Sequence, residues 1–389
     1  KDEYLKVPER YCYQYLDDKT WQEIPVPFKM WTTKTTSPTT GHVVNLEGLL
    51  NSAQFVYAAS RLMREVAAIP DNLRTDVMRH FVRDNLQVLL TDSLSRWVFG
   101  PSGYPGVFQR AAWGQWGCKS GNATHKAHLE KLMNRRFGSC DHVGLIPDTN
   151  RPTCTCTAGF CNAIDDLDMW IPAATTELLA AARLDASLVA IPKDTQDRLA
   201  DYIHLALDLF SSRCSQSVIV DDAGKPVLTA NFDLGAWDDY AFAIPATTSA
   251  GVNYTRYGDY RFSGYTGPQH PDKAGVGAAK GRNVGWDISH ARRWVPIFDT
   301  FARSHDITGH PFPTRGILTA FANQLRWVVF NQSMEQPLFA NFMDGTNGWY
   351  RVNYNAPSTG TPPSGMSVHA LRSEEHTSEL QSHSDLVCR

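Results

Sequence analysis

The chain has 389 residues, of which 42% are apolar, 11% aromatic and 20% charged, with a formal net charge of −3. That is long enough for one large or two ordinary domains, and it excludes a disordered tail, a minidomain and a collagen-like fibre. No run of about 18 apolar residues occurs and no basic run stands out, so neither a membrane span nor nucleic acid as the main partner is expected.

The chain opens at Lys1 without Met, within sequence that already reads as folded (Tyr11, Tyr13, Tyr15, Trp21), so an open-ended fragment is expected. The first clear helical period covers 45–67, where Leu49, Ala53, Val56, Ser60, Met63 and Ala67 recur at three- and four-residue steps. Only Ala68, Ile69 and Pro70 separate it from 71–97, where Met78, Val82, Leu86, Leu89 and Leu90 repeat the period. The two are predicted to form an antiparallel helical hairpin. A second pair covers 163–184 (Leu167, Ile171, Ala174, Leu178, Ala182) and 195–212 (Leu199, Ile203, Ala206, Phe210), with Pro172 predicted to kink its first helix. Asp165, Asp166 and Asp168 at that start suit helix capping, and they are also carboxylates that a hydrolase would use. Strand-prone 217–220 and 226–228, around Asp221-Asp222-Ala223-Gly224-Lys225, predict a small hairpin. A third helical pair covers 287–304, with Ile288, Ala291, Val295, Phe298 and Phe301 facing the core, and 314–330, with Ile317, Phe321, Leu325 and Val328.

The stretches 100–159, 218–285 and 331–365 are rich in Gly, Trp, Tyr, Asn and Asp. Loops this long inside a domain are functional or disordered, and their aromatic content argues for order. Cys118, Cys140, Cys154, Cys156 and Cys161 crowd the first of them. Disulfides are expected there, with zinc as the rival because His125, His128 and His142 sit nearby; paired C-x2-C knuckles are lacking. Asn122, Asn253 and Asn331 begin N-glycosylation triplets. Cysteines and triplets together predict a secreted protein. The last segment, 372–389, resembles the translation of a short sequencing adapter and is set apart from fold reasoning.

Helical hairpins joined by large aromatic loops resemble the α/α toroid of carbohydrate-active enzymes, in which polysaccharide lyases and inverting glycosidases place their sites on loops at one mouth. The resemblance spans 45–350. It implies a mostly α fold with a small β-hairpin, a single catalytic domain over 1–371, a polysaccharide as partner, and no metal or cofactor. Three hairpins fall short of a complete ring, and a plain helical bundle or solenoid is the other reading.

The densest chemistry lies in 251–293. If a helix starts near Asp287, its carboxylate caps free amides and His290 lies three residues on, on the same side. A histidine held by a carboxylate is oriented for proton transfer. Eliminative cleavage of a uronate polymer needs a base for the proton α to the carboxylate, a cation for that carboxylate and an acid for the leaving oxygen. The resemblance assigns Tyr257 as acid or base, His290 as its partner oriented by Asp287, and Arg256 with Arg293 as carboxylate neutralisers. Trp237, Asp239, Tyr260 and Trp286 are the neighbouring substrate-binding residues. A second binding segment is 339–354, where Asn341, Asp344, Asn347, Trp349 and Tyr350 offer amides, a carboxylate and flat rings, the mix that sugars exploit. The same rings also pack well inside any loop.

Hydrolysis by two carboxylates is the competing chemistry, with Asp239, Asp287 and Asp344 as its residues. G-x-S-x-G, G-x-x-x-x-G-K-[ST] and H-E-x-x-H are absent from the sequence, and Gly275-Val276-Gly277-Ala278-Ala279 follows no hydrophobic strand. The expectation is a secreted polysaccharide lyase acting on an acidic glycan. An inverting glycoside hydrolase and a non-catalytic glycan-binding module are the alternatives.

Overall fold

The computed structural model describes residues 11–16, 23–36, 41, 43–47, 49–100, 124–134, 163–236, 263–267, 283–350, 360–363 and 365–367. Within them the fold is mostly helical, with a small two-stranded hairpin as predicted. Helix α1 (Leu49–Ala68) buries Ala53, Val56, Ser60, Met63 and Ala67, the face its period marks out. Helix α2 (Asp76–Gln87) starts at Thr75, whose Oγ1 accepts the Met78 N–H. It widens into a π stretch over Val88–Ser95 and closes in α3 (Arg96–Phe99), so the predicted single helix is composite. Sequence reading missed α4 (His125–Asn134), which lies within the cysteine-bearing stretch read there as a loop.

Helix α5 (Asp166–Leu184) is buried on every side from Asp166 to Ala182 and runs continuously through Pro172. A helix enclosed all round belongs at the centre of a core. Its alanines, Ala173, Ala174 and Ala180 to Ala182, leave room for neighbours to approach. The main partner of α1 is this helix rather than α2, and α6 (Lys193–Ser212) flanks it too. The buried hydroxyls and the Glu177 carboxylate of α5 are answered, whereas the Trp170 indole N–H has no hydrogen-bond partner among the described residues. Thr175 and Thr176 donate to the carbonyls of Ile171 and Pro172 at 2.8 and 2.9 Å. Glu177 accepts from Arg64 at 3.1 Å, Thr300 at 2.7 Å and Arg303 at 3.0 Å, a clasp between three helices.

The third predicted pair is broken into shorter pieces. Helix α7 (Ile288–Ala291) ends at a turn through Arg292 and Arg293, after which α8 (Trp294–Ala302) and α9 (His305–Thr308) follow. The turn advances the period, so Trp294, Ile297, Phe298 and Phe301 face inward and Val295, predicted for the core, is 72% exposed. Helix α10 (Arg315–Gln324) starts at Thr314, whose Oγ1 accepts the Ile317 N–H. It passes into a π turn over Leu325–Val329, and the wider turn swings Leu325 out to solvent, against its predicted core position.

The hairpin pairs β4 (Cys214–Val220) with β5 (Pro226–Phe232), longer than predicted, with Val218 opposite Leu228. Asp221 forms its turn, Oδ1 accepting the N–H groups of Ala223 and Lys225. The end of β5 is buried against α10, and Phe232 meets Trp286, Trp294 and Phe298 ring to ring. An antiparallel sheet of β1 (Tyr11–Leu16), β2 (Glu23–Thr36) and β3 (Val43–Glu47), with β2 central, was not predicted. Pro25 and Pro27 interrupt its alternation and mask the strand signal. Among the described residues no helix is long and apolar enough to cross a membrane.

Candidate functional site

The first turn of α7 carries an aspartate–histidine pair. Asp287 is its N-cap, with Oδ1 accepting the backbone N–H of His290 at 3.0 Å. The His290 ring returns to the same carboxylate, Nδ1 lying 2.7 Å from Oδ2 and 2.8 Å from Oδ1. Because a carboxylate only accepts, Nδ1 carries a proton, and in the neutral ring Nε2 presents a lone pair. That nitrogen has no hydrogen-bond partner among the described residues, and the ring is 30% exposed.

Beneath the pair the carboxylate is held by two more hydroxyls, Ser289 at 2.7 Å and Tyr350 at 2.8 Å, all three residues being buried. Ser289 therefore stands on the Nδ1 side, 3.5 Å from the nitrogen that already bears the proton. A serine nucleophile must face the far nitrogen, so among the described residues this is an Asp–His dyad without the serine of a hydrolytic triad.

The segment around Asn341 fixes the dyad from behind. The Ile288 N–H donates to the Asn341 carbonyl at 3.0 Å, and the Met343 N–H to the Trp286 carbonyl at 2.8 Å. Gly285 must be glycine here: a Cβ would lie 2.6 Å from the Asp344 nitrogen. Asp344 accepts the Gly285 N–H at 3.0 Å and the Thr346 hydroxyl. Asn341 is fully buried, its Nδ2 donating to the Gly348 carbonyl at 2.5 Å. Trp349 donates Nε1 to the Gly267 carbonyl at 2.6 Å and stays half-buried, as does Asn347.

Several residues predicted to bind sugar thus hold the loops together. Trp286 is a core ring against Phe232 and Trp294. Tyr350 is enclosed and spends its hydroxyl on Asp287. Arg293 is buried in an ion pair with Asp166. Trp237, Asp239, Arg256, Tyr257 and Tyr260 lie outside the described residues, as do the five clustered cysteines, His142, Asn122, Asn253 and 372–389.

A second histidine–carboxylate system sits at the start of α5. Asp165 is the N-cap in a capping box: Oδ1 accepts the N–H of Leu167 and Asp168 at 2.9 and 3.0 Å, and its own N–H donates to Asp168 Oδ2 at 3.0 Å. The other oxygen of Asp168 faces His125 Nε2 at 3.0 Å and His128 Nε2 at 3.3 Å. His125 is fully buried, and that burial lowers its proton affinity despite the carboxylate beside it. Held neutral, it donates from Nε2 to Asp168, so Nδ1 accepts from the Tyr202 hydroxyl at 2.5 Å. Burial and the Asp168 charge push the Tyr202 hydroxyl well above its ordinary value, which keeps it a donor. Burial works to raise Asp168 too, but His128 and His125 outweigh it and hold the carboxyl well below the usual range. The three-residue spacing of His125 and His128 is a helical signal visible in the sequence; Tyr202 had none. Among the described residues no group of three or more His, Cys, Asp or Glu is arranged to hold a metal ion.

No family model, curated protein or solved structure matches the chain.

Proposed function

We propose that the protein is a secreted polysaccharide lyase of the α/α toroid type, cleaving a uronate-containing glycan by β-elimination, with His290 as the base. The observation that carries this reading is the dyad: Asp287 fixes the Nδ1–H form of His290 and leaves Nε2, at the solvent edge, to accept a proton. Arg293 is committed to Asp166, so neutralisation of the substrate carboxylate falls to Arg256 in this reading, with Tyr257 at the leaving oxygen. The succession of helical segments and the long aromatic-rich stretches of the sequence between them favour the toroid in this reading.

Hydrolysis by two carboxylates draws less support. Asp287 is saturated by its own turn and by Tyr350, and Asp344 by Gly285 and Thr346. Incubation with a panel of uronic-acid and neutral polysaccharides tests the choice. Ultraviolet absorbance of a C4=C5 unsaturated uronate that appears with the wild type and vanishes in His290→Ala supports elimination. Reducing ends without that absorbance transfer the protein to the hydrolases.

A further inference from the structure

Behind His290 three oxygen atoms close a ring. The Tyr350 hydroxyl lies 2.8 Å from Asp287 Oδ1 and 2.7 Å from Ser289 Oγ, and Ser289 Oγ lies 2.7 Å from the same Oδ1. Tyr350 is 0% and Ser289 2% exposed, so bulk water does not compete for these bonds. The two hydroxyls cannot donate to each other at once, so in every arrangement of their protons at least one points at Oδ1. Across the carboxylate stands the histidine, with Nδ1 2.7 Å from Oδ2. A buried tyrosine hydroxyl needs some partner, and a backbone carbonyl would serve. Here both hydroxyls are spent on the one carboxylate that orients the histidine. Closing the loop does not require it, because the Ile288 and Met343 N–H groups already tie the two segments together through the backbone.

We infer that Tyr350, acting with Ser289, is a positioning residue of the His290 centre: the hydrogen bonds donated to Asp287 Oδ1 draw off part of the carboxylate charge and keep His290 neutral for its work as a base. This deepens the reading of the centre as an eliminating site and rests on it. A carboxylate without these donors turns more of its charge on the ring, which favours the imidazolium. An imidazolium has no lone pair at Nε2 with which to take the proton α to the uronate carboxylate. Neither hydroxyl needs to touch substrate, since both act through Asp287.

The other charged and titratable groups on the elements beside His290 are Asp165 and Asp166 at the start of α5, Arg292 and Arg293 in its own turn, and Asp344 in the segment that carries Tyr350. The charge of His290 is felt at Asp165, Arg293 is paired with Asp166, and Asp344 accepts from Gly285 and Thr346. All of them are retained in the variants below, so a difference between variants reports the hydroxyls.

Diethyl pyrocarbonate acylates only the neutral imidazole, so its rate at His290, followed across pH by peptide mass spectrometry, gives the titration midpoint of that ring without any substrate. Tyr350→Phe and Ser289→Ala each leave one hydroxyl on Oδ1, and either is expected to raise the midpoint by a few tenths of a pH unit. In the double variant both are gone, and the expected rise is about one pH unit, a tenfold gain in proton affinity. On the polysaccharide the double variant is expected to lose about tenfold in kcat on the acid side of its midpoint and to come within about twofold of the wild type at the alkaline plateau. A purely structural role would lower kcat at every pH and leave the midpoint in place; that pattern, or a midpoint that falls, overturns the assignment and leaves the site reading standing. Where the double variant does not fold, an unmoved midpoint in both single variants overturns it equally. Wild-type elimination in His290→Ala overturns the reading of the centre, and the assignment with it, even where the midpoint moves.

Discussion

Replacing Asp168 by Asn tests whether α4 is held to the core by the buried carboxylate. The charged side chain offers two acceptors: Oδ1 to the two histidine N–H groups at 3.0 and 3.3 Å, and Oδ2 to the Asp165 N–H at 3.0 Å. An amide offers one acceptor and a donor. If its oxygen stays with the histidines, its NH2 faces the Asp165 N–H, and a buried donor goes unanswered at about 1–3 kcal/mol. If it turns, His125 must change tautomer, and the Tyr202 hydroxyl loses the acceptor it has at 2.5 Å in a fully enclosed site. Either way the histidine bonds fall from charge-assisted to neutral, roughly 1 kcal/mol each. Together these come to about 3–5 kcal/mol, the range for breaking a buried ion pair. Hydrogen exchange read by mass spectrometry is the assay, since the loss is local to α4 and the first turn of α5. Amides of α4 are expected to exchange about two to four orders of magnitude faster, at 1.36 kcal/mol per decade. Exchange within about tenfold of wild type refutes the idea that this carboxylate anchors α4.

Three further outcomes follow from other buried groups. Glu177→Gln puts an NH2 group against the Arg64 or Arg303 guanidinium and is expected to destabilise the fold by about 3 kcal/mol, read as a lower urea midpoint at constant m; an unchanged midpoint sinks it. Cys214, its thiol pushed up to about 12 by burial and by Asp233, is expected to be alkylated about a thousandfold more slowly in the native than in the unfolded chain, and comparable rates by peptide mapping count against it. Acidification is expected to weaken α4 docking: the folded state lowers the proton affinity of His125, so this stability is present above the ordinary histidine value near 6.5 and is lost as pH falls through it, with Asp168 adding a further loss at carboxylate pH. His125→Gln, which can still donate to Asp168 and accept from Tyr202, is expected to flatten the decline of Tm between about pH 7 and 5, whereas an equal slope removes histidine as its cause.

Helix positions and caps were largely legible because both are local. The stripe of α1, the Thr314 start of α10 and the Asp287–His290 spacing depend on residues within one or two turns of each other. What escaped had a non-local or weak cause. The π turn after Gln324 and the break at Arg292-Arg293 leave no compositional mark, and each moved one predicted core residue, Leu325 and Val295, to the surface. The chain from Tyr202 through His125 to Asp168 joins three segments, and nothing in any one of them announces the others. Aromatic residues misled in a different way. Tyr350 and Trp286 read equally well as sugar platforms or as core, and only the packing of Phe342 on one and of Phe232 and Trp294 on the other decides between the two.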